Sequence, residues 1–138
     1  MFNEHGGFDL KREKDILLVD VTGAWNAETA KAYREAIVKI MVPAKDTPWA
    51  LISNVEQWEL CTPDCKLLIV ELTKHCRDHG LKREAVVNSN TASVKLDLFH
   101  KNMKKQTSKA SPDVFERDFF ETEKEAREWL KNEGYGLK

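Results

Sequence analysis

The sequence predicts an α/β domain, a four- to five-stranded mixed sheet carrying about four helices in the order ββαβαβαβα. Three observations lead to it. Residues 49–53, Trp49-Ala50-Leu51-Ile52-Ser53, are an apolar run after Pro48, which suits a strand buried on both faces. Residues 63–79 then repeat apolar side chains at helical spacing behind a recognisable cap. The same unit, strand then helix, recurs along the chain, and such alternation implies right-handed crossovers in a mostly parallel or mixed sheet.

The elements follow in order. Residues 1–7 are polar and glycine-bearing and read as a loose terminus. Phe8, Leu10 and Arg12 open an alternating stretch, Lys14-Asp15 turns the chain, and Ile16 to Val21 forms a strong strand, so the start is a β-hairpin with its first strand at the sheet edge. Gly23-Ala24-Trp25 is expected to break the second strand. Asn26 is a good N-cap for a helix over 27–41, whose stripe is Ala30, Tyr33, Ile37 and Ile40, with Ala36 and Met41 beside it, and Pro43 ends it. After the strand at 49–53, residues 54–62 read as a polar loop. Thr62-Pro63 supplies a capping oxygen and a proline at the first helical position, and Asp64 complements the positive helix end. Cys65, Leu68, Ile69, Leu72 and Cys76 form the core stripe, and Gly80 is the stop. Residues 83–88 predict a short strand and 92–105 a helix through Val94, Leu98 and Met103. Residues 114–121 predict the last strand, Thr122 with Glu125 a capping box, and 123–132 a helix with Ala126, Trp129 and Leu130 inward.

At 138 residues the chain is expected to be a single domain, 1–138, able to bury its own core. It is 41% hydrophobic and 33% charged with net charge −1, so no global field draws it to nucleic acid. Three cysteines without a framework spacing suggest a reducing compartment. No apolar run approaches the ~18–20 residues of a membrane span, and the opening MFNEHGG has no hydrophobic signal region, so a cytoplasmic location is expected.

No catalytic motif is present: no G-x-S-x-G, G-x-x-x-x-G-K, G-x-G-x-x-G or H-E-x-x-H. The chain is read as a non-enzyme without a cofactor. Cys61, Cys65, Cys76 and His79 suggest a loose zinc pattern, but Cys65 and Cys76 are roughly 16 Å apart along one helix, too far to share an ion held at about 2.0–2.3 Å. They are expected to be core residues, and His75 and His79 a solvated helix end. Cys61 precedes a helix N-terminus, where a thiolate is favoured, and is the one reactive residue to flag.

In sheets of this kind ligands bind outside the carboxyl ends of the parallel strands. Three loops gather there, 23–26, 54–62 and 88–91, and they supply the candidate contact residues Trp25, Asn26, Asn54, Trp58, Thr62, Asn88 and Ser89. Amides, hydroxyls and two tryptophans suit either a small-molecule pocket or a protein-docking surface. The asparagines and serine equally fit turn and cap roles. Residues 100–112 hold Lys101, Lys104, Lys105 and Lys109 without an acid, a frayed helix end and mobile loop that is also a candidate contact for an anionic membrane surface at about 1 kcal/mol per lysine.

The element order from Phe8 to Leu130, together with the ending FFETEKEAREWL at 119–130, resembles the SpoIIAA-like proteins, a bacterial family related to the STAS domains of anti-sigma-factor antagonists. Phe120, Ala126, Trp129 and Leu130 match the family's closing strand, acidic turn and helix. The resemblance implies a STAS-like binding or regulatory module. STAS antagonists carry a phosphorylated serine in an Asp-Ser-Ser-Gly-like motif at the start of the helix after the third strand. Thr62, in Cys61-Thr62-Pro63-Asp64, falls there as a candidate phospho-acceptor, although the aspartate and glycine of that motif are absent. The similarity of this fold to CRAL-TRIO domains implies, as the alternative, a carrier or sensor of a lipid or other hydrophobic small molecule. The expected partner is thus a protein or a hydrophobic small molecule. The edge strand near Phe8 leaves room for a homodimer, and an enzyme using the Cys61 thiolate ranks third.

Overall fold

A computed structural model describes residues 6–41, 47–90, 96 and 114–137. Nine elements follow in order: β1 (Gly7–Glu13), β2 (Ile16–Trp25), α1 (Ala27–Met41), β3 (Trp49–Asn54), β4 (Trp58–Cys61), α2 (Pro63–Asp78), β5 (Leu81–Val87), β6 (Glu116–Phe120) and α3 (Glu123–Asn132). The expected helix over 92–105 and the lysine-rich stretch 100–112 lie outside the described residues, apart from Leu96, which is fully buried in the core.

The sheet runs β1-β2-β3-β5-β6, with β4 attached to β2. The β1–β2 hairpin is antiparallel and the β2–β3, β3–β5 and β5–β6 pairings are parallel, as the strand–helix alternation predicts. Lys14 takes the left-handed conformation (φ 59°) that the two-residue turn requires. The helices divide between the two faces. Leu17, Val19, Leu51, Leu81 and Val86 pack toward α1 and α2, whose buried stripes are Ala30, Tyr33, Ile37 and Met41 on one and Cys65, Leu72 and Cys76 on the other. Ile16, Ala50, Ile52, Ala85 and Val87 face α3 through Ala126 and Leu130. Both sheet faces are therefore covered, which is why β3 is apolar from Trp49 to Ile52.

The caps form as predicted. Asn26 Oδ1 accepts from Thr29 N (3.0 Å), Thr62 Oγ1 from Cys65 N (3.3 Å) and Thr122 Oγ1 from Glu125 N (3.2 Å). The Glu125 carboxylate reaches back to Glu121 N at 3.2 Å, one residue before the cap. Gly80 follows α2 at φ 103°, and a Cβ there would sit 2.5 Å from the Thr47 carbonyl oxygen, so both conformation and space select glycine.

Two expectations need correction. Gly23-Ala24-Trp25 does not end β2. The strand runs to Trp25 through a register shift between Gly23 and Trp25, with Gly23 at φ 73°, a bulge that lets its last residues pair with a new partner. That partner is β4, within the stretch expected to be a loop. It pairs parallel to β2, Gly23 with Trp58 and Trp25 with Cys61.

The central strand β5 carries adjacent buried charges, Arg83 (2% exposed) and Glu84 (3%), on opposite faces. On the α1/α2 face Glu84 accepts from Arg117 Nε (2.8 Å) and Ser53 Oγ (2.9 Å). On the α3 face Arg83 Nε donates to Glu133 (2.8 Å), and its Nη1 donates to the Val114 carbonyl (2.6 Å). Removing one member of such a pair leaves an uncompensated buried charge. Arg117→Met is expected to cost ~3–5 kcal/mol in urea unfolding, and the double variant Glu84→Leu/Arg117→Met to recover most of that loss. A single variant as stable as wild type would show the pair to be unimportant. A second expectation concerns alkaline pH. Burial, with a smaller contribution from Glu84, pushes the Cys76 thiol from 9.0 up to about 12. The native state then holds this proton more tightly than the unfolded chain, so the stabilisation is intact below pH 9.0 and is lost as pH rises through about 12. Thermal unfolding between about pH 8 and about pH 11 is expected to show this decline, with a shallower slope in Cys76→Ala.

Candidate functional site

The carboxyl-end edge of the sheet is built by the end of β2, the turn after β3, β4, the start of α2 and the segment after β5. Trp25 O accepts from Thr62 N at 3.1 Å and Gln57 O accepts from Gly23 N at 2.9 Å, so β4 and the α2 cap are fastened to the end of β2. Val55 N donates to Val87 O at 3.0 Å, which ties the next turn to β5.

The two tryptophans expected on the contact surface point inward. Trp25 is 2% exposed and Trp58 5%. With Phe8 and Tyr33 they form an edge-to-face cluster, Trp25 lying 5.1 Å from Tyr33 and 6.0 Å from Trp58 between ring centroids. Trp25 Nε1 donates to the Thr22 carbonyl (3.0 Å). The physical reason is the bulge at Gly23 and the pairing of β4, which turn both rings beneath α1. Their contact is with the core, not with solvent.

Beside this cluster lies a partly open cavity of about 50 Å³, between the sheet and helices α1 and α2. Trp25, Tyr33 and Trp58 line it together with the polar groups of Ser53, Thr73 and Glu84. Burial, with a smaller contribution from Glu84, pushes the Tyr33 hydroxyl well above its ordinary value, so it remains a neutral phenol. Ligand pockets for drug-sized molecules span ~300–1,000 Å³. A cavity of about 50 Å³ has room for a few waters and not for an acyl chain.

The polar residues at the edge are spent on local structure. Asn26 caps α1. Asn54 Oδ1 accepts from Glu56 N (3.0 Å), and the Glu56 carboxylate in turn accepts from Ser89 N (2.6 Å) and Ser89 Oγ (2.8 Å). Asn88 is buried, its N–H donating to Phe120 O (2.9 Å) and its Nδ2 to Asn90 O (2.6 Å). The structure therefore links Asn54 and Ser89 through Glu56, which is not among the sequence candidates, while Asn88 bonds separately to Phe120 and Asn90. Asn26 and Thr62 sit apart from these contacts, each at the head of a helix. Thr62 is exposed, and its hydroxyl oxygen caps α2.

At Cys61 the neighbouring Cys65 thiol, then burial, hold the thiol above its ordinary value. No group of three or more His, Cys, Asp or Glu residues that could hold a metal ion occurs among the described residues. His75 and His79 stack on each other at 4.3 Å, and His79 Nδ1 lies 2.8 Å from the His75 carbonyl oxygen. No helix among the described residues is long and apolar enough to cross a membrane.

Exposed large apolar side chains supply the signal that the polar residues do not. Among the described residues they are Leu60 (73%), Leu67 (66%), Val70 (40%), Val114 (48%) and Leu137 (60%). Three of these five fall between residues 60 and 70, on β4 and the first two turns of α2, either side of Thr62 along the chain. Leu67 and Val70 are three positions apart and so share a helix face. The sequence carried this signal in the mismatch between Leu67 and Val70 and the core stripe of their helix.

No family model and no curated protein matches this chain. Solved structures do. An uncharacterised protein from the DUF3478 family of Shewanella loihica PV-4, described as having a SpoIIAA-like fold, aligns over 94% of this chain and 98% of its own, with TM-score 0.65 and 16% identity. The protein TM1081, solved by NMR, aligns over 95% of this chain and 94% of its own, with TM-score 0.61 and 14% identity. The likeness spans both helical layers and the sheet between them, and this chain has a SpoIIAA-like fold.

Proposed function

We propose that this chain is a STAS-like regulatory module that acts by binding another protein along β4 and the first half of α2. The observation that carries this reading is the concentration of exposed apolar side chains there, Leu60, Leu67 and Val70, around the exposed cap residue Thr62. Isolated exposed leucines are ordinary, whereas neighbouring ones on an otherwise charged helix suit a docking face. The fold is compatible with the reading, since it gives a rigid platform for that face. The carrier reading receives less support, because the cavity of about 50 Å³ would have to open several-fold before it held a lipid.

Immobilised wild-type chain, incubated with extract of its own host cells, is expected to retain a protein that Leu60→Asp/Leu67→Glu loses. The control Leu137→Asp, which changes an equally exposed leucine elsewhere, is expected to retain it. Both variants should unfold within about 0.5 kcal/mol of wild type, because the altered side chains are exposed. Equal capture by the two variants would place the contact elsewhere. Trp58→Ala behaves differently: truncating a buried aromatic is expected to cost about 3–5 kcal/mol in denaturant unfolding. A Trp58→Ala chain of undiminished stability would return that residue to the surface.

A further inference from the structure

β1 is the outermost strand of the sheet, with β2 on one side and, among the described residues, no strand on the other. It is seven residues long, pairs with β2 without a register shift and contains no proline. An edge this long and regular is a template for another strand. The hairpin decides which groups face outward. Its two-residue turn makes Glu13 and Ile16 the first hydrogen-bonded pair, and bonded and non-bonded pairs alternate from there. Gly7, Asp9, Lys11 and Glu13 therefore direct their N–H and C=O groups to β2. Phe8, Leu10 and Arg12 direct theirs away from it, and among the described residues no backbone bond from elsewhere reaches them. The side chains alternate as well. Phe8 and Leu10 pack toward the core under α1 and α2, whereas Asp9 and Lys11 are exposed on the α3 face, where Glu13 binds Arg127 at 3.1 Å.

We infer that β1 is a self-recognition edge, through which two copies of this chain pair antiparallel about a two-fold axis at Leu10 and join their sheets into one. The order of charges along the strand carries the inference. An antiparallel ladder sets bonded positions against bonded ones, so the axis can pass only through a single residue of the strand. With the axis at Leu10, Leu10 meets its own copy, Asp9 meets Lys11, Phe8 meets Arg12 and Gly7 meets Glu13. All of β1 is then paired. Asp9 and Lys11 occupy the non-bonded positions, where opposite side chains approach most closely, and they carry opposite charges. Phe8 with Arg12 sets an aromatic ring against a guanidinium. Other registers are worse. An axis at Asp9 opposes two aspartates, one at Lys11 opposes two lysines and also Glu13 with Asp9, and one at Arg12 opposes two arginines. An axis at Phe8 leaves only Gly7 to Asp9 of the strand in the ladder. Charges on an edge ordinarily discourage pairing. Here they discourage every register but one, and a second copy matches that register by symmetry. Two seven-residue strands make a small interface, so the pairing is a concentration-dependent equilibrium and not an obligate dimer. None of these pairs involves β4 or α2, so the association is independent of what docks at Leu60 and Leu67.

Sedimentation equilibrium of the full chain from ~10 µM to ~1 mM is expected to show a mass that rises toward two chains. Asp9→Lys and Lys11→Glu each set like charges opposite one another, and each is expected to weaken association by ~tenfold or more. Mixed in equal amounts, the two variants regain both opposite-charge pairs, and association is expected to return to within ~threefold of wild type. Both side chains are exposed, so neither change disturbs the core, and recovery in the mixture shows that both variants are folded. Hydrogen exchange reads the edge itself. The amides of Phe8, Leu10 and Arg12 should exchange fast in dilute solution and slowly in concentrated solution, while that of Lys11, bonded to β2, should be protected in both. Leu60→Asp/Leu67→Glu should associate like wild type. The inference fails if the chain stays monomeric across this range, if the mixture associates no better than either variant alone, or if association leaves the Leu10 amide unprotected. It fails equally if association is lost in Leu60→Asp/Leu67→Glu and kept in the β1 variants, which would put the contact between copies on β4 and α2.

Discussion

The structure depends on the pairing of two short charged sequences across β5 and β6. Arg83-Glu84 on β5 lies in register with Glu116-Arg117 on β6, Arg83 opposite Glu116 and Glu84 opposite Arg117. Adjacent residues of a strand face opposite sides, so one attractive pair forms on each face of the sheet. A slip by one residue would flip every side chain and set like charges against each other. The energetic gain of a buried ion pair over apolar packing is small. Its contribution here is to register, and β6 is the strand that most needs it, since it is only five residues long and reached from β5 by a long connection.

From that constraint the rest of the molecule follows outward. With β6 fixed, α3 covers one face, Arg83 binds Glu133 at the end of α3, and the tail closes over Ile16 through Gly136 and Asp15. On the other face Glu84, Ser53 and Arg117 form a polar floor beneath α1 and α2. The aromatic cluster of Phe8, Trp25, Tyr33 and Trp58 fills the space above that floor, leaving only a small void.

Much of this was legible in the sequence because helices and their caps are local. The helix over 27–41, the Thr62 and Thr122 caps and the turn at Lys14-Asp15 depend on residues a few positions apart, and each formed where expected. The family resemblance likewise rested on the order of elements, which the sheet reproduces. What the sequence hid was non-local. Gly23 reads as a strand end, and only the distant β4 turns it into a bulge within a continuing strand. With that pairing in place Trp25 and Trp58 lie in the core, while Glu56 links the candidate residues Asn54 and Ser89, and Asn88 bonds separately to Phe120 and Asn90. Asn26 and Thr62 kept the cap roles that their position beside apolar helical stripes suggested.

We propose that this chain holds a protein on its surface and not a small molecule in its interior. Native mass spectrometry of the chain purified from its own host, followed by the same sample denatured, tests it most directly. The account predicts a complex that releases a second polypeptide on denaturation, with the chain itself at its unliganded mass. A chain that instead carries, and on denaturation sheds, a small apolar molecule would contradict it.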